Sequence, residues 1–226
     1  NMIILVVGDV EPRAVFEMVE KGIDVKENPG KIESIFPDEP KHHNKQVVEK
    51  KLAVAMPQFQ MGIKDNSNVF GYDLLKRKVA IEIILSMLMG KSSKLYNELY
   101  DEGLINQTFG SEVMLEGLYG FSAWGGQSNE PVKVYERINE MLEKIKKAGL
   151  DSENFKRIKN AHEGRFIRSL NSPENISHSF IPLYFKDANF FDHAKVYEEL
   201  SFADAQDIFY SHFALEPALS VIWPVK

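Results

Sequence analysis

The opening of the chain predicts a strand followed by a helix. Residues 2–7 are an uninterrupted apolar run, which is typical of a buried strand, and Gly8 provides a turn after it. Pro12 suits the first position of a helix, and Gly22 suits its end. We therefore expect a strand–helix unit, and we expect this unit to belong to a longer protein.

The middle of the chain contains the strongest helical period. Residues 23–45 include three prolines and show no period, so we expect an irregular surface connection. Residues 47–56 have extended character, and Pro57 is expected to stop them. Apolar residues then keep helical spacing as far as Gly90. This pattern predicts a central buried helix that is capped within residues 66–68.

The second half of the chain predicts a hairpin, four successive helices and a closing strand. A short helix capped by Ser92 or Ser93 precedes the hairpin, and Gly103 lies just past its end. The predicted elements are strands at 105–113 and 118–124, helices at 131–148, 151–170, from 173 and from 201, and a strand at 218–223. Because strands and helices do not alternate regularly, the sequence favours an α+β fold with a mixed, mostly antiparallel sheet and helices on one face.

Composition excludes several functional classes. The 226 residues are 44% apolar and 27% charged, which is typical of a globular chain that can bury a core. The longest apolar run is far below the roughly 20 residues of a membrane-spanning helix. The net charge of −6 disfavours nucleic acid as a partner. Cysteine is absent, so disulfides and thiolate metal sites are excluded, and we expect a cytoplasmic location.

The candidate catalytic motifs are incomplete. The G-K-S string at residues 90–92 lacks the first glycine of a phosphate-binding loop, because Leu85 occupies that position. His162 begins an H-E-x-x-H zinc motif, but Phe166 stands where the second histidine belongs. Ser122 lies within a predicted strand, whereas a nucleophile elbow is a strand-to-helix turn. The remaining histidines have no sequence neighbours typical of a metal site or a base: His42, His43, His178, His193 and His212.

Four strings, taken in order, resemble one protein family. They are N-M-I-I-L-V-V-G-D-V-E-P at residues 1–12, G-K-S-S-K-L-Y-N-E-L-Y-D-E-G-L-I at 90–105, G-L-Y-G-F-S-A at 117–123 and G-R-F-I-R-S-L-N-S-P-E at 164–174. With these strings the chain resembles the C-terminal half of pitrilysin/insulinase-family zinc proteases, which include the mitochondrial processing peptidases. The fourth string is similar to a bacterial branch of the family.

The resemblance implies one half-domain, residues 1–226, of a protein whose two homologous α+β halves enclose a peptide chamber. In the family the N-terminal half binds zinc through H-x-x-E-H and a distant glutamate, and this chain lacks that motif. The resemblance therefore implies no metal in this chain and zinc in the parent protein. Its partner would be a zinc-bearing N-terminal half or a homologous subunit, and its substrate a peptide.

Two roles are compatible with this resemblance. In the first, the chain shapes the chamber of a zinc endopeptidase and is inactive by itself. In the second, the protein is a non-catalytic family member that acts as a scaffold or partner subunit. The altered residues at two substrate positions, Tyr100 and Asn106, favour the second role.

The resemblance also implies four substrate-binding residues. In active relatives an arginine and a tyrosine of an L-R-E-K-G-L-A-Y segment reach the substrate carbonyl, and Tyr100 and Asn106 occupy those positions here. Both can donate hydrogen bonds, but neither has a fixed positive charge. Packing beneath the hairpin is the alternative for Tyr100. Gly117 and Gly120 would let an extended peptide approach the sheet edge, whereas the glycines at 125–126 are expected to shape a turn or bulge.

Overall fold

The computed structural model describes residues 2–23, 40 and 42–225. Its strands are β1 (Val47–Leu52), β2 (Gln58–Asp65), β3 (Gly110–Leu115), β4 (Gly120–Gln127) and β5 (Ala218–Pro224). Its helices are α1 (Pro12–Gly22), α2 (Gly71–Met89), α3 (Lys94–Asp101), α4 (Pro131–Ala148), α5 (Ser152–Ser169), α6 (Pro173–Tyr184), α7 (Asp192–Glu199) and α8 (Phe202–His212). No helix in these ranges is long and apolar enough to cross a membrane.

The five strands form one mixed sheet in the order β1-β5-β2-β4-β3. The last strand, β5, lies between β1 and β2, parallel to the former and antiparallel to the latter. β4 pairs antiparallel with both β2 and β3. In this register Met61 of β2 lies opposite Trp124 on one side and Leu219 on the other. The arrangement confirms the predicted α+β fold with a mixed sheet.

Helices cover one face of the sheet. Along β2 the side chains of Phe59, Met61 and Ile63 are buried, whereas Gln58 and Gln60 are exposed. This period of two is the pattern of a strand with one covered face and one open face. α2 is buried around most of its circumference and packs against the helices α5, α7 and α8. The predicted central buried helix is therefore confirmed.

Side-chain capping explains where half of the described helices begin. Ser93 accepts a hydrogen bond at the start of α3, and Asp151 does the same for α5. Ser201 forms a capping box with Asp204 at the start of α8. These predicted starts are confirmed. α2 begins at Gly71, later than the predicted cap at residues 66–68.

Three sequence predictions need correction. The strand predicted at residues 2–7 is wrong: the segment has no regular secondary structure, because no strand of the described sheet lies beside it to pair with its backbone. Conversely, β2 follows directly after Pro57, although Pro57 was expected to end extended structure. Four helices were predicted after the hairpin, whereas the described structure has five, and α7 is the additional one. The irregular connection predicted at residues 23–45 falls mostly outside the described residues.

Candidate functional site

The open face of the sheet carries a trough. Two adjoining hollows of about 540 and 1350 Å³ lie on this face. Both are lined by Gln60, Glu112, Ala123 and Ser220, so they form one depression across β3, β4, β2 and β5. We call this depression the sheet trough.

The floor of the sheet trough includes several small side chains, and the charged residues Lys64 and Glu112 also line it. Gly62, Ala123 and Ser220 lie on three neighbouring strands and contribute little side-chain bulk. Gln60 Nε2 donates a hydrogen bond to Glu112 Oε1 over 3.3 Å, which holds the carboxylate at one side. Among the described residues no group of three or more His, Asp or Glu side chains could hold a metal ion. The trough can therefore accommodate an extended chain, but it presents no metal centre.

Asn106 lies beside one end of the sheet trough. Its Oδ1 accepts hydrogen bonds from the backbone N–H and the hydroxyl of Thr108, over 2.9 and 2.6 Å. Its Nδ2 donates to Gln127 Oε1 over 3.3 Å. Thr108 and Gln127 both line the smaller hollow. Asn106 thus shapes the rim of the trough through these two neighbours.

Tyr100 lies on α3 and is 43% exposed. Its ring stacks on the ring of Tyr96, with centroids 5.9 Å apart. The Tyr96 ring in turn packs against the ring of Phe109, with centroids 6.1 Å apart. Phe109 in turn donates its backbone N–H to the carbonyl of Asn106. The structure therefore brings Tyr100 and Asn106 to the same end of the hairpin. Tyr100 is therefore partly exposed to solvent. It also packs against Tyr96, and packing was the alternative role expected for it.

Gly117 and Gly120 lie at the other end of the hairpin, in and beside the β3–β4 turn. Gly117 has a φ of +82°, which favours glycine, and a Cβ there would overlap the ring of Phe70. A Cβ on Gly120 would lie 2.6 Å from Leu115 Cδ2. Both glycines therefore have a packing reason within the chain. Gly120 also lines the larger hollow, so its contact with a substrate stays a prediction.

The structure brings together three polar residues that the sequence did not connect. Ser122 Oγ lies 2.6 Å from His212 Nε2, and His212 Nδ1 lies 2.7 Å from Asp65 Oδ2. This order matches the nucleophile, base and carboxylate of serine hydrolases. However, Ser122 is fully buried and the other two are at most 5% exposed, so no substrate reaches the hydroxyl. The three residues form a structural connection between β4, α8 and β2.

Arg77 completes this connection, which we call the Asp65 network: Asp65, Arg77, Ser122 and His212. Arg77 Nε and Nη2 donate to the Asp65 carboxylate over 2.9 and 2.8 Å. Burial alone would raise the pKa of Asp65, but hydrogen bonds from His212 and Arg77 outweigh it and hold the pKa well below its usual range. Asp65 is therefore ionised at neutral pH, and Arg77 balances its buried charge. Because the four residues are separated by up to 147 positions, short motifs could not reveal them.

His162 is a half-buried hydrogen-bonding residue and not part of a zinc motif. Its Nε2 lies 2.8 Å from Ser86 Oγ of α2, so it joins α5 to the central helix. Burial, together with the charge of Arg165, lowers the pKa of His162 to about 4. The imidazole is thus neutral at pH 7.

Replacing His162 by glutamine should reduce the loss of stability in mild acid. Between pH 6.5 and 4 the unfolded state binds a proton at His162 and the folded state does not, so stability is full above this window and falls as the pH drops through it. Glutamine keeps a partner for Ser86 but does not titrate. Urea unfolding at pH 7.5 and pH 4.5 measures the difference.

The control for this prediction is His178→Gln, because His178 is highly exposed. The control should leave the pH dependence unchanged. Burial also lowers the pKa of His193, so every variant should keep part of the loss of stability between pH 7.5 and pH 4.5. The prediction would be contradicted if the free energy of unfolding fell by the same amount in wild type and in His162→Gln.

Comparison with known proteins identifies the family. A family model described as "Peptidase M16 inactive domain" matches residues 1–161. The uncharacterized zinc protease YmfH of Bacillus subtilis is 31% identical over 227 residues, which cover 96% of this chain and 51% of that protein. The zinc protease PqqE of Helicobacter pylori is 29% identical over 187 residues, which cover 80% of this chain and 41% of that protein.

The fold is also found in a solved structure. An M16-like peptidase from Alicyclobacillus acidocaldarius superposes with a TM-score of 0.89 and 24% identity, covering 96% of this chain and 52% of that one. The chain thus spans about half the length of the B. subtilis and A. acidocaldarius proteins. It belongs to the peptidase M16 family and corresponds to the family's inactive domain. The family resemblance inferred from the sequence is confirmed.

Proposed function

We propose that the chain forms the substrate-chamber half of a zinc-dependent endopeptidase, with hydrolysis carried out by a zinc-bearing N-terminal half. The observation that carries this proposal is the sheet trough, which lies on the open face of a domain that belongs to the inactive M16 class. A sheet with one uncovered face and a concave floor is suited to enclosing a ligand together with a second body. The zinc proteases similar to this chain are about twice its length, which leaves room for such a body.

The proposed substrate is an extended polypeptide. Small side chains on the trough floor leave space for a chain to lie across the sheet, and its main chain can pair with an exposed strand edge. Tyr100 and Asn106 would contact it at one end of the hairpin, and Gly117 and Gly120 at the other.

The mechanism divides between the two halves. The residues of this chain do not suit zinc, since its H-x-x-E-H motif is missing and the described donors form no metal cluster. Zinc bound by the partner would activate water and polarise the peptide carbonyl. This chain would hold the polypeptide in place, donate hydrogen bonds from Tyr100 and Asn106, and exclude solvent from the enclosed bond.

The full-length protein tests this function. It should cleave an unstructured polypeptide, and a zinc chelator should abolish cleavage until zinc is restored. A full-length protein that binds no zinc and cleaves no polypeptide would support the alternative role, a non-catalytic scaffold or partner subunit. That alternative is favoured by the altered residues at the two substrate positions, Tyr100 and Asn106, because neither has a fixed positive charge.

Replacing Tyr100 by phenylalanine should lower kcat/KM of the full-length enzyme by about 100-fold, if its hydroxyl donates to the developing oxyanion. Phenylalanine keeps the stacking on Tyr96, so the thermal midpoint should change little. Tyr184→Phe is the control, because Tyr184 is similarly exposed but lies on α6. Unchanged kinetics in Tyr100→Phe, with a lowered midpoint in Tyr100→Ala, would assign Tyr100 to packing alone.

A cytoplasmic location is proposed for the protein as well. Disulfide bonds are typical of oxidising compartments, and a chain without cysteine forms none, which is compatible with a reducing compartment. Cell fractionation with an antibody against the native protein measures the location, and recovery in an extracytoplasmic fraction would contradict it.

A further inference from the structure

Residues 2–22 contribute no buried side chain to the core. We call this segment the N-terminal unit; it consists of the apolar run at residues 2–7 and helix α1. No residue of α1 is buried, and residues 2–7 pair with no strand of the described sheet. Six consecutive apolar residues are nevertheless the composition of a strand that is covered on both faces.

The N-terminal unit exposes apolar surface on both of its parts. Its exposed large apolar side chains are Met2, Ile4, Val6, Val10, Phe16 and Met18. Phe16 and Met18 are 70% and 74% exposed, although a helix normally buries its apolar residues. Exposed large apolar side chains concentrated in one short segment are typical of an interaction site. Within the part of the chain that the structure describes, the backbone of residues 2–7 pairs with no other strand, so it adds a row of hydrogen-bonding groups that another sheet can complete.

The edges of the chain's own sheet suit the N-terminal unit poorly. β1 forms one edge and carries Glu49, Lys50 and Lys51 at its centre. β3 forms the other edge and carries Glu112. Charged side chains on an edge strand discourage the addition of an apolar strand. A second copy of this chain therefore offers no matching edge.

The other half of the protein is the occupant that fits. The family model matches from residue 1, so the N-terminal unit is part of the family domain and not an added tail. The relatives contain about as much chain again outside the matched part. We infer that residues 2–7 add a strand to the sheet of the zinc-bearing half, while α1 covers one face of that added strand. This inference rests on the proposed function, which supplies the partner.

Strand addition has a direct signature in hydrogen exchange. In the 226-residue chain alone, the amides of residues 3–7 should exchange at nearly unprotected rates. In the full-length protein, where these amides would be hydrogen-bonded between strands, exchange should slow by about 100-fold or more. Amides of β2 should be protected in both proteins and serve as the internal reference.

Matched substitutions locate the interface. Ile4→Lys should weaken association of the 226-residue chain with a separately expressed N-terminal half by about 10-fold or more, because it puts a charge into the added strand. The thermal midpoint of the chain alone should not change. Leu52→Lys is the control, since Leu52 and Ile4 are 49% and 51% exposed and Leu52 lies on β1.

The outcomes separate the inference from the proposed function. Rapid exchange at residues 3–7 in a full-length protein that still cleaves polypeptide in a zinc-dependent manner would overturn the inference alone. Protection that arises from dimers of the 226-residue chain would overturn it too, because a second copy would then be the occupant. Failure of the two halves to associate, together with absence of zinc-dependent cleavage, would overturn the proposed function.

Discussion

Replacing Arg77 by methionine should lower the free energy of unfolding by about 3–5 kcal/mol, because it leaves the buried Asp65 carboxylate without its countercharge. Asp65 is 5% exposed and receives hydrogen bonds from both Arg77 and His212. Methionine has a similar length and removes the guanidinium. Chemical denaturation of the wild type and the variant at pH 7 measures the loss.

Two controls distinguish this effect from general damage. Arg137→Met removes an arginine that pairs with Glu98 and Glu102 at the surface, and should cost less than about 1 kcal/mol. Combining Arg77→Met with Asp65→Asn removes both charges and should recover part of the loss. A loss in Arg77→Met as small as in Arg137→Met would show that the Asp65 network is not a buried charge pair.

The Asp65 network also has a predictable pH dependence. The folded pKa of Asp65 lies below the unfolded value near 4, so its stabilisation is complete above that value and is lost as the pH falls below it. In Arg77→Met the carboxyl can be protonated more easily, which relieves the uncompensated charge. The difference between wild type and Arg77→Met should therefore narrow below about pH 4.

Replacing Gly125 by alanine should destabilise the sheet by about 1–3 kcal/mol or more. A Cβ on Gly125 would overlap the carbonyl oxygen of Phe59 and lie 2.8 Å from Gln60 Cα on the paired strand β2. These are backbone atoms, so the strands themselves must move apart. Because Gly125 lines the sheet trough, the same change should weaken polypeptide binding by the full-length protein.

Gly62→Ala is the matched control for this prediction. Gly62 lies on β2 in the same pair of strands, but its added Cβ would be 3.4 Å from the nearest backbone atom, which is ordinary contact. Gly62→Ala should therefore leave the free energy of unfolding within about 0.5 kcal/mol of wild type. Equal losses in both variants would contradict the account of Gly125.

The helices were predictable because their signals are local. Ser93, Asp151 and Ser201 each lie within a few residues of the backbone groups that they cap. The hairpin was also predicted, although its turn lies two residues later than expected. Strand β2 was missed because Pro57 was expected to end extended structure, although the residues that follow it alternate between buried and exposed positions.

The features that the sequence did not predict depend on contacts between distant parts of the chain. Ser122 and His212 are 90 positions apart, and only the sheet and α8 bring them together. The strand predicted at residues 2–7 has the right composition, but a strand forms only where another strand completes its hydrogen bonds. The same reasoning explains why the family resemblance could name Tyr100 and Asn106, whereas only the structure brings them to the same end of the hairpin.

The central claim is that this chain shapes a peptide chamber and depends on a second half for metal and catalysis. The most direct measurement determines zinc content and polypeptide cleavage for the 226-residue chain alone and after addition of the N-terminal half. We predict no stoichiometric zinc and no cleavage for the chain alone, and cleavage in the mixture that a chelator removes. One tightly bound zinc per chain, or cleavage by the chain alone, would contradict the account.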